Sequence, residues 1–521
     1  MKNKVSEIHG RKSEVDSQLK HFWSFLFALL GFFFVIVAVG NSRPGLPVYE
    51  ARYSIAMMTL VLTASVLINQ RLRNPYVDIL HIVFFFFYVL RAIALLLYPL
   101  SSDLLNPPLP IGSVTKSTVF LILAFISLAV GCQLFLRSPL VEMGTLTPLE
   151  TSLIKAALWI STVLTLANAY FNISTFMDCK YVYLGVANSA FAILHAVFDS
   201  WRVLILLTPI LVLYGGFLSN SERLMAIGNL VLLGGVGIYM GQKSSVLQIL
   251  LYLLFPLVLK LRSSERVKPT KLISYSILIV ALAMAGFMLG KVMRVVQLNN
   301  YGCTGDQSKI EILSYSGLIL AGQGSQEFAA KPSAVRSSQT LEIMMNSLSY
   351  RTGYFDFFVE KFSNPAYLEV VTFKQYFMAI IDKVTPGFDV FNVPFVSRTI
   401  YYVHHPEAVP GEMTNSEQIT LFGEAGLLFG WGALLYLPFV CWLLGRMHRI
   451  LHRVAGSSML TKNLVYLFVL QFFYYWIEGM GLDMLLVLNL LHTGIFILGI
   501  LILAAGIVGT HRLCTWLWSP R

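Results

Sequence analysis

Long apolar runs separated by short polar connections fill almost the whole chain. A helix needs roughly 20 mainly apolar residues to cross a bilayer. On that measure the pattern predicts about twelve spans, near 22–40, 53–69, 79–98, 116–136, 152–170, 201–218, 224–240, 245–260, 272–290, 420–444, 463–477 and 484–508. One interval breaks the rhythm: from Lys291 to Thr420 the sequence is mixed and partly polar. Within it, Thr340–Lys361 and Pro365–Lys383 carry apolar residues at three- and four-residue spacing, which predicts two amphipathic helices. Pro386, Gly387 and Pro394 then interrupt the periodicity. Another stretch, Phe171–Ser200, is aromatic and weakly amphipathic; it reads either as a helix lying on the bilayer surface or as an ordinary loop.

The expected fold class is therefore an all-α polytopic membrane protein of about twelve transmembrane helices, with a large helical outer loop between the ninth and tenth spans. Its expected regions are a tail (1–21), a first bundle of nine spans (22–290), the large loop (291–419), a second bundle of three spans (420–508) and a second tail (509–521). No internal repeat is evident, so an inverted-repeat transporter gains no support.

Charge orients this arrangement. Only 12% of residues are charged, against about a quarter in ordinary soluble domains. Lys and Arg gather in alternate connections: Lys2 to Lys20, Arg71 and Arg73, Arg137, Arg223, Lys260 to Lys271, Arg446 to Lys462, and Arg512 with Arg521. By the positive-inside rule these connections are cytoplasmic, and so are both termini. The net charge of +11 is then a topology signal, and no nucleic-acid partner is expected. Residues 1–20 are polar, and no small-residue cleavage pattern follows Phe22–Val39, so that run reads as a span rather than a cleaved signal. Of the five cysteines, Cys179 and Cys303 fall in expected outer loops, where a disulfide between them or two free thiols both remain open. No C-x-x-C spacing occurs, and no metal site is expected.

The placement of cations at outer helix ends is the sharpest chemical clue. Lys243, Lys291, Arg294, Arg351 and Arg398 all lie on the side that basic residues avoid. Such groups suit a phosphate or diphosphate at the membrane surface, Arg bidentately and Lys as a point charge. They would also stabilise charge developing on a diphosphate leaving group. The structural alternatives are snorkelling, headgroup neutralisation and, for Arg351 and Arg398, stacking on neighbouring tyrosines. His404 and His405, followed by Glu407, Glu412 and Glu417, supply candidate bases for a sugar hydroxyl; the alternative is a solvated loop, and His-His-x-Glu leaves a metal ligand pair open. Arg91 falls inside an apolar run, where an ionisable side chain is functional by default or paired with another span. Glu478, Asp483 and His492 lie near the outer face and extend the polar set.

The stretch Thr414–Gly432, with its Phe422-Gly423-Glu424 and Phe429-Gly430-Trp431-Gly432, resembles a segment of bacterial oligosaccharide repeat-unit polymerases. These are the Wzy-type proteins of O-antigen, capsule and exopolysaccharide synthesis. Arg351 in Ser349-Tyr350-Arg351 resembles the family's loop arginine, and Lys243-Ser244-Ser245 is similar to its Gly-Ser-Arg-type motif, with Lys in place of Arg. The resemblance implies a GT-C-like, metal- and cofactor-independent glycosyltransferase of the bacterial inner membrane. It implies undecaprenyl-diphosphate-linked oligosaccharides as substrates, membrane lipid as surroundings and a chain-length regulator as a further partner. In that frame Arg351, Arg398, Arg294, Lys291 and Lys243 bind diphosphate. His404 or His405 takes the acceptor proton, with Glu412 and Glu417 as alternatives, and Glu424 orients a cation or sugar or else packs helices. An O-antigen-ligase-like transferase shares the plan, and a lipid-linked-oligosaccharide flippase or transporter is the alternative from another class. Metal-dependent lipid-sugar transferases carry paired acids in the first outer loop, whereas Asn41–Arg52 offers only Glu50.

Overall fold

The structure is a computed structural model, and it describes residues 48–72, 74–97, 112–136, 146–177, 200–239, 245–262, 286, 355–363, 366–384, 390–391, 393–404, 420–454, 458–478 and 481–518. The first expected span, the ninth apart from residue 286, and all of the large loop before Phe355 lie outside these residues. Among the described residues every regular element is helical, and six helices are long and apolar enough to cross a membrane.

In chain order the bundle helices are α1 (Val48–Leu72), α2 (Pro75–Phe84, running on through a π turn, Phe85–Val89, to Leu90–Leu97), α3 (Ser113–Phe135), α4 (Pro148–Met177), α5 (Ser200–Val212), α6 (Asn220–Tyr239) and α7 (Ser245–Arg262). The loop region supplies α8 (Phe355–Ser363), α9 (Ala366–Val370), α10 (Phe373–Val384) and α11 (Val396–His404). The chain then returns to the bundle with α12 (Leu421–Phe429), α13 (Ala433–Val454), α14 (Met459–Glu478) and α15, which starts at Leu482 and continues through a π segment, Leu485–Thr493, to Trp518.

Several elements differ from expectation, and the last helix runs to Trp518, into the expected second tail. The fifth span is longer, reaching Met177 into the stretch read as surface helix or loop. The sixth helix stops at Val212, where Leu213–Ser219 turns the chain. The tenth span is broken: α12 ends at Gly430, whose φ of 53° is a left-handed value that glycine adopts without steric cost. A single 3₁₀ turn, Gly430–Gly432, then leads into α13.

Bundle packing relies on close backbone approach. α3 and α13 run parallel, with Ser127 Oγ donating to Leu434 O and Cys132 Sγ 3.7 Å from Cys441 Sγ. A Cβ on Gly445 would stand 2.3 Å from Phe135 O, and one on Gly131 would stand 2.9 Å from Pro438 Cα. Lipid gives apolar helices no hydrophobic reason to associate, so small residues that admit backbone contact take over that role. Both cysteines are free and buried; Cys179 and Cys303 lie outside the described residues.

One end of the bundle is pinned by polar ties. Asn69 Nδ2 donates to Asp78 Oδ1 at 2.8 Å, Asn74 Nδ2 donates to Cys132 O at 2.9 Å, and Glu150 Oε1 accepts from Ser458 Oγ and Leu460 N. Lys155 pairs with Glu222 at 3.1 Å. Over the opposite end fold α8 to α11, forming a lid. α8 packs on α2, α3 and α12; α9 packs on α11 and α12; α10 packs on α15. Tyr367, Val371, Tyr376, Val396, Ile400 and Leu427 make a small core of their own there. Each such side chain taken from water contributes about 1.5–3 kcal/mol, which is why the lid helices hold their places.

Candidate functional site

The lid end concentrates the buried polar groups of the molecule that fall near predicted site residues. Its scaffold begins at Thr420, the N-cap of α12. The Thr420 hydroxyl accepts from Gly423 N at 3.1 Å and from Tyr88 Oη at 2.6 Å. Tyr88 sits on the π turn of α2, a distortion that re-aims side chains and is frequent at functional sites. Arg91, three residues on, is fully buried in the same helix and engaged with neighbouring groups.

Glu424 lies in the first turn of α12 and is fully buried. Its Oε2 accepts from Trp476 Nε1 at 3.0 Å and its Oε1 from Leu482 N at 3.1 Å. It thereby joins three elements: α12, the end of α14 and the beginning of α15. The next acid, Asp483, is also fully buried, and its Oδ2 accepts from Val396 N at 2.7 Å. That bond takes up an N–H that would otherwise be orphaned at the start of α11, a group every helix must satisfy somewhere. Asp382, at the end of α10, accepts from Phe391 N at 2.8 Å and Val393 N at 2.7 Å, which shapes the connection into α11. Gln375 Nε2 donates to Thr399 Oγ1 across the two helices.

Tyr376 stands between these carboxylates. Burial pushes its phenol pKa well above the ordinary value, and the nearby Glu424 and Asp483 push it the same way. The ring therefore remains a neutral phenol throughout the physiological range. One further cation is buried in the lid itself, Lys361 in α8.

The sequence-predicted residues divide as follows. Arg398 and His404 both lie on α11, six residues and about 9 Å apart along the axis. The Arg398 side chain is half-buried, and no ion pair to it occurs among the described residues. Glu424 is joined to this helix indirectly, since the backbone it holds, Leu482, adjoins the Asp483 that caps α11. Its contacts are those of a helix-packing group. His405, Arg351, Glu417, Lys243, Lys291 and Arg294 lie outside the described residues, as do Glu407 and Glu412. Among the described residues no group of three His, Cys, Asp or Glu side chains is placed to hold a metal ion.

Sequence reasoning passed over Tyr376, Tyr88, Trp476 and Lys361. Asp382 had a visible signal, because an acid just before Pro386-Gly387 is placed to accept from turn N–H groups. Tyr376 had none, since its carboxylate neighbours are 48 and 107 residues away (424 − 376 and 483 − 376).

What these observations define, among the described residues, is an all-helical arrangement with six membrane-crossing candidates and a helical lid tied over one end. Family models, curated proteins and solved structures give no significant match to it.

Proposed function

We propose that the chain is a membrane glycosyltransferase that polymerises lipid-diphosphate-linked oligosaccharide repeat units at the outer face of a bacterial inner membrane. The observation that carries this reading is Arg398. It is a half-buried guanidinium on a short helix of a built lid, with no acid paired to it among the described residues. A guanidinium so placed suits bidentate contact with a diphosphate. The buried acids of the lid end, Asp483 and Glu424, are bonded to backbone N–H groups and to Trp476.

In the reaction, the acceptor sugar hydroxyl attacks the anomeric carbon of the donor glycan. His404 or His405 takes the hydroxyl proton, the new C–O bond forms, and the bond to the carrier diphosphate breaks. The diphosphate leaves with the electron pair, and its added charge falls on Arg398, with Arg351, Arg294, Lys291 and Lys243 as the further cations. Asp483 and Glu424 act behind them by fixing the ends of α11, α12 and α15.

The test is polymer length in cells carrying Arg398→Ala or Arg398→Lys at matched expression. Removing one preorganised donor to a developing anion costs on the order of 10²–10³ in rate. Arg398→Ala is expected to leave mostly single repeat units, with Arg398→Lys intermediate. Normal chain lengths with Arg398→Ala remove it from the site. Long chains left on the lipid carrier after deletion of the whole protein indicate a ligase instead.

A further inference from the structure

The outward face of the lid is apolar, which is the wrong polarity for a helix facing water. In α10 the residues turned inward are Tyr376, Ala379 and Asp382. Those turned outward are Phe373, 57% exposed, Phe377, 64% exposed, and Lys374. The connection after α10 adds exposed Val390 and Phe391. A lid helix standing in water ordinarily carries polar side chains on that face.

These rings do not stand alone. The Phe373 ring lies 5.3 Å from Phe429 at the end of α12, and Phe429 stacks on Tyr436 of α13 at 4.4 Å. Around that stack, Trp431, Leu435 and Phe439 are exposed, Leu435 to 81%. They form the outward strip of a segment, Leu421–Val454, long and apolar enough to cross a membrane. The apolar face of α10 thus continues the lipid-facing strip of α13 across the Gly430–Gly432 break. Trp431 stands at that junction, where an aromatic belt is expected to mark the headgroup level.

From this continuity we infer that α10 and the Val390–Phe391 turn are embedded in the headgroup–acyl boundary of the bilayer, so that the lid is an interfacial plate. Phe373 and Phe377 enter the acyl region, and the Lys374 ammonium reaches back to lipid phosphates. The inference is independent of the sugar chemistry proposed above. Its partner is a lipid surface, and it gives the lid a fixed depth beside α13.

The experiment uses the full chain in nanodiscs of phosphatidylethanolamine and phosphatidylglycerol. Phe373→Cys and Phe377→Cys are each labelled with an environment-sensitive fluorophore, and the identically treated parent chain serves as blank. Glu369→Cys, at an exposed position of α9, is the aqueous reference. Lipids doxyl-labelled on the upper acyl chain are expected to remove most of the emission at 373 and 377, whereas iodide removes it only at 369. Iodide quenching at 373 and 377 overturns the inference by placing the face in water. Protection from both quenchers also overturns it, because protein would then cover the face.

Discussion

Glu424→Ala tests the scaffold most directly. Two donors, Trp476 Nε1 and Leu482 N, each bond to a separate oxygen of this buried carboxylate. Truncation leaves both facing an apolar void. An orphaned buried donor costs about 1–3 kcal/mol, so the pair costs about 2–6 kcal/mol before any cavity term. Glu424→Gln keeps one acceptor oxygen and turns an NH₂ toward the other donor, so it should lose about half as much. Membrane proteins of this size unfold irreversibly, so the useful quantity is an inactivation rate at fixed temperature. Cys132 and Cys441 are buried and free, and a thiol-reactive fluorogenic dye reports when the bundle opens. The expected order is Glu424→Ala fastest, Glu424→Gln intermediate and the parent slowest. A Glu424→Ala chain as durable as the parent would refute the view that this carboxylate joins α12, α14 and α15.

Two further substitutions probe other contacts. Gly445→Ala forces a Cβ against the Phe135 carbonyl, a backbone atom that cannot swing aside; it should cost about 1–3 kcal/mol in the same thiol assay. Gly228→Ala on α6 meets nothing within 4 Å and should be neutral or slightly stabilising, and equal behaviour of the two would sink the close-packing argument. Asp382→Ala releases the N–H groups of Phe391 and Val393, so the α10–α11 connection should be cut faster by added protease or exchange its amides sooner. Unchanged cleavage would mean that other contacts hold that turn.

How much of this was legible depends on the distance over which each determinant acts. The positions of α1 to α7 follow from apolar runs, since a span is written in consecutive residues. The break at Gly430 was not read, because Gly-Trp-Gly sits within an apolar stretch whose mean hydropathy hides it. The second amphipathic segment was found, but its division at Val371-Thr372 into α9 and α10 was not. Helix α11 was missed for a different reason. Thr399, Ile400 and Val403 are β-branched and Tyr401-Tyr402 aromatic, types with weak helix propensity. What stabilises its start is Asp483, 87 residues later. The site shows the same division: Arg398 and His404 were found as residue types, whereas the bonds that position their helix depend on tertiary contacts no spacing rule shows.

Both ends of the bundle are held by buried carboxylates and polar ties, and at the lid end those ties set the geometry around α11. At the end away from the lid, local ties such as Asn69 with Asn74 and Glu150 with Thr147 stand beside long-range ones, Asn74 with Cys132 and Glu150 with Ser458. At the lid end Asp382 braces its own connection, while Asp483 and Glu424 accept from backbone N–H groups 87 and 58 residues away in sequence. A carboxylate that accepts from buried backbone is fixed in place, because turning away would orphan that N–H. The acids at this end therefore fix geometry. Irregular backbone reinforces the point. The π turn at Phe85–Val89, the break at Gly430–Gly432 and the π segment beginning at Leu485 all lie close to the lid helices. Such distortions at the margin of a bilayer persist only where neighbouring groups satisfy the freed backbone. Tyr88 bonded to Thr420 and Glu424 bonded to Leu482 tie the chain beside two of them. The carboxylate-braced floor holds the helix that carries Arg398, and Arg398 is the described candidate most open to direct test.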